Sequence, residues 1–286
     1  MLGMKIAIQG AEGSFHHIAA EHYFEKAAEV EHDYVYCDTF AAVFATLAAH
    51  VADAAVIAIE NSLYGSIADV YDGLQKYKFC ITGEIVERIH QNLIGFPGTD
   101  MKDIERIYSH PVAIAQCAHY LASKFPGVQV IEHQDTAAAV ADIRRRGDHA
   151  EAAIAGSFAA DLHEMEILQA EIQDEQLNYT RFIVIDQRKD KAEEPAADAD
   201  KASLIITTSH EPGSLHRALG VFAEVGSNLT KLQSRPIPGK VWKYQFYLDV
   251  GISPDTLTSA IAKLKEQECV VTNLGTYTAA TTLYED

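Results

Sequence analysis

The chain has 286 residues, which is enough for two domains with separate hydrophobic cores. Hydrophobic residues make up 48% of it and charged residues 22%, as is typical of a globular protein. The formal net charge of −18 argues against nucleic-acid binding, which requires a basic stripe. An anionic ligand would therefore have to be held by local groups rather than by the overall field.

The N-terminal sequence and the cysteines indicate the cellular compartment of the protein. Gln9-Gly10 interrupts the first apolar run too early for a signal peptide, and no apolar run is long enough to cross a membrane. The cysteines are far apart and lack zinc-type spacing, which is typical of buried free thiols in a reducing compartment. They are Cys37, Cys80, Cys117 and Cys269. We expect a cytoplasmic protein that does not associate with membranes.

A charged stretch at 187–201 divides the chain. Its lysines, acidic residues, proline and alanines leave no apolar period, so it is predicted to be a solvated linker. We expect a first domain at 1–186 and a second at 202–286. Within the first domain we expect two lobes, roughly 1–80 with 181–186, and 81–180.

In the first domain, short apolar runs alternate with alanine-rich helical segments. The predicted strands are 5–9, 33–37, 54–59, 106–108, 128–131, 152–155 and 182–185. The predicted helices are 18–28, 40–49, 114–124 and 137–145. This alternation indicates βαβ units and largely parallel sheets. A β-like passage at 79–94 and the late strand at 182 would be segments that cross between two lobes separated by a cleft.

The second domain follows a different order. Strands are predicted at 203–208, 228–237, 241–250 and 269–277. One helix is predicted at 214–225, and Ser253-Pro254 marks the start of another that ends near Glu266. This βαββαβ order is that of the ferredoxin-like fold.

Five predicted strand ends in the first domain lead into small polar residues before a helix. They are Gly13-Ser14, Asn61-Ser62, Ser109-His110, Asp135-Thr136 and Gly156-Ser157. Helix N-termini bind carboxylates and phosphates, and in open α/β sheets they line a crevice. Such residues are also ordinary helix caps, so a structural role remains an alternative for each pair.

The segment Thr180-Arg181-Phe182 places a hydroxyl, a guanidinium and an aromatic ring at the start of a strand. A neutral donor beside a cation suits an anionic substrate with a leaving hydroxyl. The alternative is that Arg181 forms a salt bridge and Thr180 only favours the strand.

Cofactor signals are weak. Gly10-Ala11-Glu12-Gly13 lacks the third glycine of a dinucleotide fingerprint and the lysine of a P-loop. His16, His17 and His22 have no matching carboxylates for a zinc site. We expect neither a metal nor another cofactor.

Six spaced motifs follow one another along the chain. They are Gly10–Phe15, Ile59-Glu60-Asn61-Ser62 with Gly65, Ser109-His110-Pro111 with Ala113, Gln116 and Cys117, Asp135-Thr136-Ala137, 153–160, and Ile172-Gln173-Asp174 followed by Asn178-x-Thr180-Arg181-Phe182. In residues, spacing and order they resemble the motifs of prephenate dehydratases. With the second domain, the likeness covers nearly the whole chain. It implies a two-lobed catalytic domain like a type II periplasmic binding protein.

The resemblance implies conversion of prephenate to phenylpyruvate, water and CO2 in L-phenylalanine biosynthesis, without a cofactor. The catalytic residues it implies are Thr180, Arg181, Phe182, Glu60, Asn61 and Ser62. The substrate-binding residues it implies are Ser14, Phe15, Ser109, Gln116, Thr136 and Ser157. Thr180 would donate a hydrogen bond or proton to the leaving hydroxyl. Glu60 would orient its neighbours or act as a general acid.

The second domain resembles the phenylalanine-binding ACT domain of these enzymes. The resemblance lies in Pro212-Gly213-Ser214-Leu215, the segment 228–236 and the segment 241–247. It implies feedback by L-phenylalanine bound between two subunits of a homodimer or homotetramer. The effector-binding residues would be Gly213, Ser214, Leu215, Asn228, Leu229, Gln233, Ser234, Arg235 and Pro236. No chorismate mutase bundle precedes the first strand, so we expect a monofunctional chain.

Some residues depart from the family pattern. Ala11 replaces the usual proline and His16 the usual serine, while Ser214 and Gln233 replace alanine and glutamate in the ACT motifs. Arogenate dehydratase carries out the same chemistry on the amino acid analogue and stays an alternative. A non-catalytic amino-acid sensor is the alternative from another class.

Overall fold

The computed structural model describes residues 3–25, 32–187, 198–237 and 239–280. By contacts the chain divides into two units. The first is Met1–Val70 with Val86–Phe182, and the second is Tyr71–Ile85 with Ile183–Asp286. Most of the predicted linker falls outside the described residues, and the domain limits 1–186 and 202–286 stay a prediction.

The first sheet begins at the N-terminus and is mixed, with parallel pairs around its first strand and an antiparallel pair at its short fourth strand, so the predicted largely parallel arrangement holds only in part. Its strands are β1 (Met4–Gln9), β2 (His32–Cys37), β3 (Ala54–Asn61), β4 (Gly65–Ser66), β5 (Cys80–Arg88) and, late in the chain, β11 (Tyr179–Asp186). They lie in the order β2-β1-β3-β11-β5, with β4 paired to β3. The helices between them are α1 (Phe15–Glu25), α2 (Phe40–Ala48) and α3 (Ala68–Tyr77).

The second sheet lies wholly in the first unit. Its strands are β6 (Asn92–Gly95), β7 (Arg106–Ser109), β8 (Gln129–Glu132), β9 (Glu151–Ala155) and β10 (Glu166–Gln169), in the order β10-β6-β9-β7-β8. Its helices are α4 (Pro111–Gln116), α5 (Ala118–Lys124), α6 (Thr136–Arg146) and α7 (Ser157–Leu162), with a 3-10 turn at Met101–Asp103. Every residue of β9 is buried, and separate apolar clusters surround Val140 and Leu121.

Two strands connect the sheets. After β5 of the first sheet the chain enters β6 of the second, and after β10 it returns through β11. The predicted two-lobed α/β architecture is thereby confirmed. The return strand carries Thr180, so one crossing segment brings that residue into the first sheet, beside the end of β3.

The second unit contains the predicted ferredoxin-like fold. Its elements are β12 (Lys201–Thr207), α8 (Ser214–Glu224), β13 (Asn228–Pro236), β14 (Tyr244–Gly251), α9 (Pro254–Glu266) and β15 (Val270–Tyr277). The sheet is antiparallel in the order β13-β14-β12-β15. Alternate residues of β12, including Leu204 and Ile206, pack with Val221 and Leu257 of the helices.

The segment Tyr71–Ile85 belongs to this second unit through polar contacts. The buried Lys201 Nζ donates to both carboxylate oxygens of Glu84, at 2.7 and 2.8 Å. Arg235 Nη2 bonds both oxygens of Asp72, at 2.7 and 2.8 Å. Charge-assisted pairs of this kind hold α3 and β5 against the ferredoxin-like sheet.

Three sequence predictions need correction. The strand predicted at 241–250 begins at Tyr244, because Trp242 has φ = 56° and the chain still turns there. The helix predicted at 114–124 is two helices, interrupted at Cys117. Asn61-Ser62 does not precede a helix but ends β3 and turns into β4.

Candidate active site

The side chains of Asn61 and Thr180 meet where β3 and β11 lie side by side. Asn61 Nδ2 donates to Thr180 Oγ1 at 3.0 Å, and Thr180 is only 8% exposed. Because Oγ1 already accepts from Asn61, its own proton is free to donate elsewhere. The Asn61 amide is itself fixed, since its Oδ1 accepts from Leu63 N and Tyr64 N at 3.0 and 3.1 Å.

Ser62 holds the two strands together beside this pair. Its backbone N donates to Tyr179 O at 2.8 Å, and its Oγ accepts from Tyr179 N at 2.9 Å. The same hydroxyl donates to Leu177 O at 3.3 Å. Both functions of the hydroxyl are therefore engaged with backbone, so Ser62 fixes the start of β11 rather than offering a proton.

The triplet Thr180-Arg181-Phe182 is divided between two faces of β11. Successive strand residues point to opposite faces, so Thr180 and Phe182 share one face and Arg181 takes the other. Arg181 Nη2 lies 3.4 Å from Glu60 Oε2 on the adjacent strand. The donor and the cation predicted to act side by side therefore lie on different sides of the sheet.

His16 packs against the Thr180 face. Its ring meets the ring of Phe182 edge-on, with centroids 5.0 Å apart. His16 Nε2 accepts from Ala58 N at 3.2 Å, in the part of β3 beyond its last pairing with β1. Burial lowers the pKa of His16 to about 3, so the ring is neutral near pH 7 with its proton on Nδ1.

The N-terminal loop brings starts of three helices together. Ser14 Oγ caps α1 by accepting from His17 N at 3.3 Å. Gly10 has φ = 97°, and a Cβ there would lie 2.7 Å from Asp135 Oδ2 of the second lobe. Phe15 lies over Gly156, where a Cβ would come within 3.2 Å of its ring. The half-buried Thr136 and the exposed Ser157 are the first residues of α6 and α7.

Gln116 and Ser109, two other predicted substrate-binding residues, differ in whether they have a hydrogen-bond donor available. Gln116 Oε1 accepts from Gln91 Nε2 at 3.1 Å, which orients the amide with its Nε2 turned away from Gln91. The buried Ser109 donates its hydroxyl to Ile154 O at 2.6 Å. Its proton is engaged by the neighbouring strand, so in this arrangement Ser109 does not offer that proton to a substrate.

The site thus offers neutral donors and helix N-termini rather than lysines. Such groups can hold carboxylates without a net basic patch. Within the described ranges, no cluster of three His, Cys, Asp or Glu residues is placed to hold a metal ion. Nor does any described helix have the length and apolarity needed to cross a membrane.

The predicted effector residues fall into two groups at opposite ends of the ferredoxin-like sheet. Asn228 pairs with Gly251 at one end of β13, and Pro236 pairs with Tyr244 at the other. At ~3.3 Å per residue these ends are roughly 26 Å apart. Ser214 and Leu215 line a cleft of about 660 Å³ with Ile237 and Tyr244, at the Pro236 end. One chain cannot bring Leu215 and Asn228 to one small ligand.

The remaining predicted effector residues make contacts of their own. Gly213 precedes α8 with φ = 80°, and Leu229 packs on the core. Gln233 Nε2 donates to Ser234 O at 3.2 Å, and Arg235 is committed to Asp72. Arg235 therefore ties β13 to α3 in this structure.

Sequence reasoning assigned no site contact to three residues, although Asn178 belongs to a matched motif and His16 is a departure from the family pattern. Asn178 is fully buried and accepts from Asn61, and Gln91 orients Gln116. The contact of His16 with β3 was also not foreseen. The parity of positions 178, 180 and 182 could have indicated Asn178, whereas nothing in the sequence pairs Gln91 with a residue 25 positions away.

The fold is a two-lobed α/β arrangement whose candidate site carries neutral hydrogen-bond donors and helix N-termini. The family model for prephenate dehydratase matches residues 6–190. The chain belongs to the prephenate dehydratase family, whose members are carbon–oxygen lyases.

Individual relatives agree with this assignment. The bifunctional chorismate mutase/prephenate dehydratase of Aquifex aeolicus is 35% identical over 97% of this chain and 74% of its own length. The solved structure of GqqA, described as a novel type of quorum quenching acylase, is 31% identical with a TM-score of 0.83, covering 97% of this chain and 98% of that one. Prephenate dehydratase of Arthrobacter aurescens, solved with L-Phe, is 26% identical with a TM-score of 0.82, covering 96% and 90%.

Proposed function

We propose that the chain converts prephenate to phenylpyruvate through a hydrogen bond from Thr180 to the departing hydroxyl. The observation that carries this proposal is the bond from Asn61 Nδ2 to Thr180 Oγ1. It fixes the oxygen and leaves the threonine proton directed away from Asn61. In the reaction, the bond from ring carbon to carboxylate breaks as CO2 leaves. Its electron pair enters the ring, and the ring hydroxyl departs as hydroxide. The hydroxide then takes up a proton and becomes water.

Aromatisation supplies the driving force, so the protein has to orient the substrate and assist the leaving group. Positioned proton donation is typically worth about 10²–10⁴-fold. An alcohol has a high pKa, so Thr180 acts mainly by hydrogen bonding to the charge that develops on the leaving oxygen. A hydroxyl held by a neighbouring amide is already oriented for this and needs little reorganisation.

The surrounding residues take supporting roles. Arg181 and Glu60 fix the shape of β3 and β11 through their ion pair, on the face away from Thr180. Phe182 packs against His16 and supports the floor of the site. The loop at Ser14 and Phe15, the helix starts at Thr136 and Ser157, and the Gln116 amide supply donors for the substrate carboxylates. Ser62 holds the backbone beneath Asn61.

The test is an assay with prephenate that measures phenylpyruvate absorbance in alkali, in the wild type and in Thr180 variants. Thr180→Val keeps the shape and removes the hydroxyl, and it should lower kcat by about 10²–10⁴-fold. Thr180→Ser is the matched control and should keep most of the turnover. Near-normal turnover by a folded Thr180→Val protein would refute the role of Thr180. Absence of turnover in the wild type would favour a non-catalytic sensor.

Substrate preference is a separate question. Prephenate carries a keto group where arogenate carries an amine, and both carry the leaving hydroxyl that Thr180 would assist. We propose prephenate as the substrate, in keeping with the family. A competition assay with equal concentrations of both compounds would reveal an arogenate dehydratase if phenylalanine formed faster than phenylpyruvate.

We further propose that the second unit is an ACT domain that binds L-phenylalanine between two copies of the chain. Support comes from the separation of Leu215 and Asn228 at opposite ends of one sheet, since a second copy can bring them together. Binding would then shift the equilibrium between two quaternary states and thereby regulate catalysis. Calorimetry with millimolar L-phenylalanine tests this proposal, and absence of binding heat would contradict it.

The same proposal requires a homodimer or homotetramer, which sedimentation would detect. We place the enzyme in the cytoplasm, where its four buried free cysteines would stay reduced.

A further inference from the structure

Asn178 lies next to the Asn61–Thr180 pair and has no role in the proposed reaction so far. Its side chain is fully buried, two residues before Thr180. Asn178 Oδ1 accepts from Asn61 Nδ2 at 2.7 Å, and its backbone O accepts from Ile89 N at 2.7 Å. The residue is therefore held at its backbone and contacts Asn61 through its amide oxygen.

The orientation of both amides follows from their partners. Asn61 Oδ1 is occupied by the backbone N–H groups of Leu63 and Tyr64, so its Nδ2 must face β11. A nitrogen that donates needs an acceptor, so Asn178 has to present Oδ1 to it. No other assignment of oxygen and nitrogen satisfies these contacts.

Asn61 Nδ2 has two hydrogens but three acceptors within reach. They are Asn178 Oδ1 at 2.7 Å, Thr180 Oγ1 at 3.0 Å and Tyr179 O at 3.2 Å. The shortest contact, to Asn178, sets the rotation of the amide plane. With one hydrogen fixed there, the other is directed toward Thr180 Oγ1 and Tyr179 O. Without Asn178 Oδ1, the amide is free to turn toward the Tyr179 carbonyl and release the Thr180 hydroxyl.

The nitrogen of the Asn178 amide lowers the stability of the fold. Its Nδ2 is buried and has no hydrogen-bond partner among the residues that the structure describes. An unpaired buried donor destabilises a fold, and a leucine of similar size would avoid this. The oxygen that Asn178 presents to Asn61 as an acceptor explains why a polar residue occupies this buried position.

We propose that Asn178 is a positioning residue that orients the Thr180 hydroxyl by fixing the Asn61 amide. This inference rests on the role proposed for Thr180. Asn178 itself does not touch the substrate. It determines which way the Asn61 hydrogen points, and thereby whether the threonine proton faces the leaving group.

The experiment compares Asn178→Leu with Asn178→Asp in the prephenate assay. Leucine removes the acceptor, and kcat should fall about 10- to 100-fold, as expected for a misplaced catalytic group. KM should change little, and the melting temperature should hold or rise because the unpaired donor is gone. Aspartate keeps an oxygen facing Asn61 and should retain most of the turnover. Equal losses in the two variants, or full turnover in Asn178→Leu, would overturn the proposal.

A double variant separates this inference from the role of Thr180. In a Thr180→Ala background, Asn178→Leu should lower kcat no further, because no hydroxyl is left to orient. The same fold loss in both backgrounds would overturn the inference. If Thr180→Ala alone kept normal turnover, the proposed function of Thr180 would fail instead. Asn178→Ser, which is too short to reach Asn61, replaces leucine if that variant does not fold.

Discussion

The catalytic site and the proposed effector site are built in different ways. Around Thr180, the described contacts join β3 to β11 and the residue before it, since Asn61 bonds Thr180 and Asn178, and Ser62 bonds Tyr179. The predicted effector residues Leu215 and Asn228 lie at opposite ends of one sheet and cannot share a small ligand. The proposed chemistry thus rests on bonds between neighbouring strands, whereas the proposed regulation would need two copies of the chain.

Apart from Thr180 itself, the largest expected effect is at Asn61. Asn61→Ala removes the donor that fixes Thr180 Oγ1 and the acceptor that shapes the turn after β3, so kcat should fall by about 10²–10³-fold. Mixing this variant with Thr180→Ala before refolding tests whether the site belongs to one chain. No activity should return, because each chain would carry one damaged residue of its own site. Recovery above the sum of the two variants would show a site shared between chains.

At the effector site, in contrast, mixing two damaged variants should restore the function that is measured, which is L-phenylalanine binding. Leu215→Trp fills the cleft at one end of the sheet, and Asn228→Ala removes a polar group at the other. Each variant alone should weaken L-phenylalanine binding by at least about tenfold, or about 1.4 kcal/mol. Refolding the two together should restore tight binding at one site in each mixed dimer, as measured by calorimetry. Failure to restore it, with both variants folded and dimeric, would place the effector site within a single chain.

A smaller effect is expected at Arg181, because it lies on the face of β11 away from Thr180. Arg181→Met leaves Glu60 without this ion pair, which should lower the free energy of unfolding by about 1–3 kcal/mol. Turnover should fall much less than in Thr180→Val. The double variant Glu60→Gln with Arg181→Met should recover part of the stability. A Thr180-like loss of kcat at unchanged stability would show that Arg181 binds the substrate directly.

Much of the fold and part of the candidate site could be predicted from the sequence. The periodicity of apolar residues and the positions of turn residues predicted most strands and the ferredoxin-like order. The periodicity shows which face of each element is buried. The spaced motifs assigned Asn61 and Thr180 to one predicted site, and the two side chains are hydrogen-bonded although 119 positions separate them. The sequence did not separate Arg181 from Thr180 in function, although strand parity implies it.

Other features depend on long-range contacts and could not be predicted. Asn61-Ser62 looked like a helix start, but pairing of β4 with β3 turned it into a hairpin. The strand at 241–250 was predicted too long, since Trp242 adopts a left-handed conformation that its residue type does not favour. The bonds from Gln91 to Gln116 and from His16 to Ala58 join residues distant in sequence. A single sequence carries no signal for such pairs.

The smallest expected effect is on the pH dependence of stability and concerns His16. Its pKa is lowered by burial to about 3, whereas in the unfolded chain it should lie near 6.5. Between these values the unfolded state binds the extra proton, so the fold loses stability as pH falls from 6.5 toward 3. The slope from this one group is at most about 1.4 kcal/mol per pH unit.

His16→Gln isolates this contribution, because the Gln oxygen can still accept from Ala58 N but does not titrate. Urea unfolding from pH 7 to pH 4.5 should show a shallower loss of stability in His16→Gln than in the wild type. Above pH 7 the two curves should run parallel, since neither side chain carries charge there. Parallel curves below pH 6 would mean that His16 reaches solvent and accepts a proton in the folded protein. The floor beneath Phe182 would then be wet, and Thr180 would donate into a less apolar site than its burial indicates.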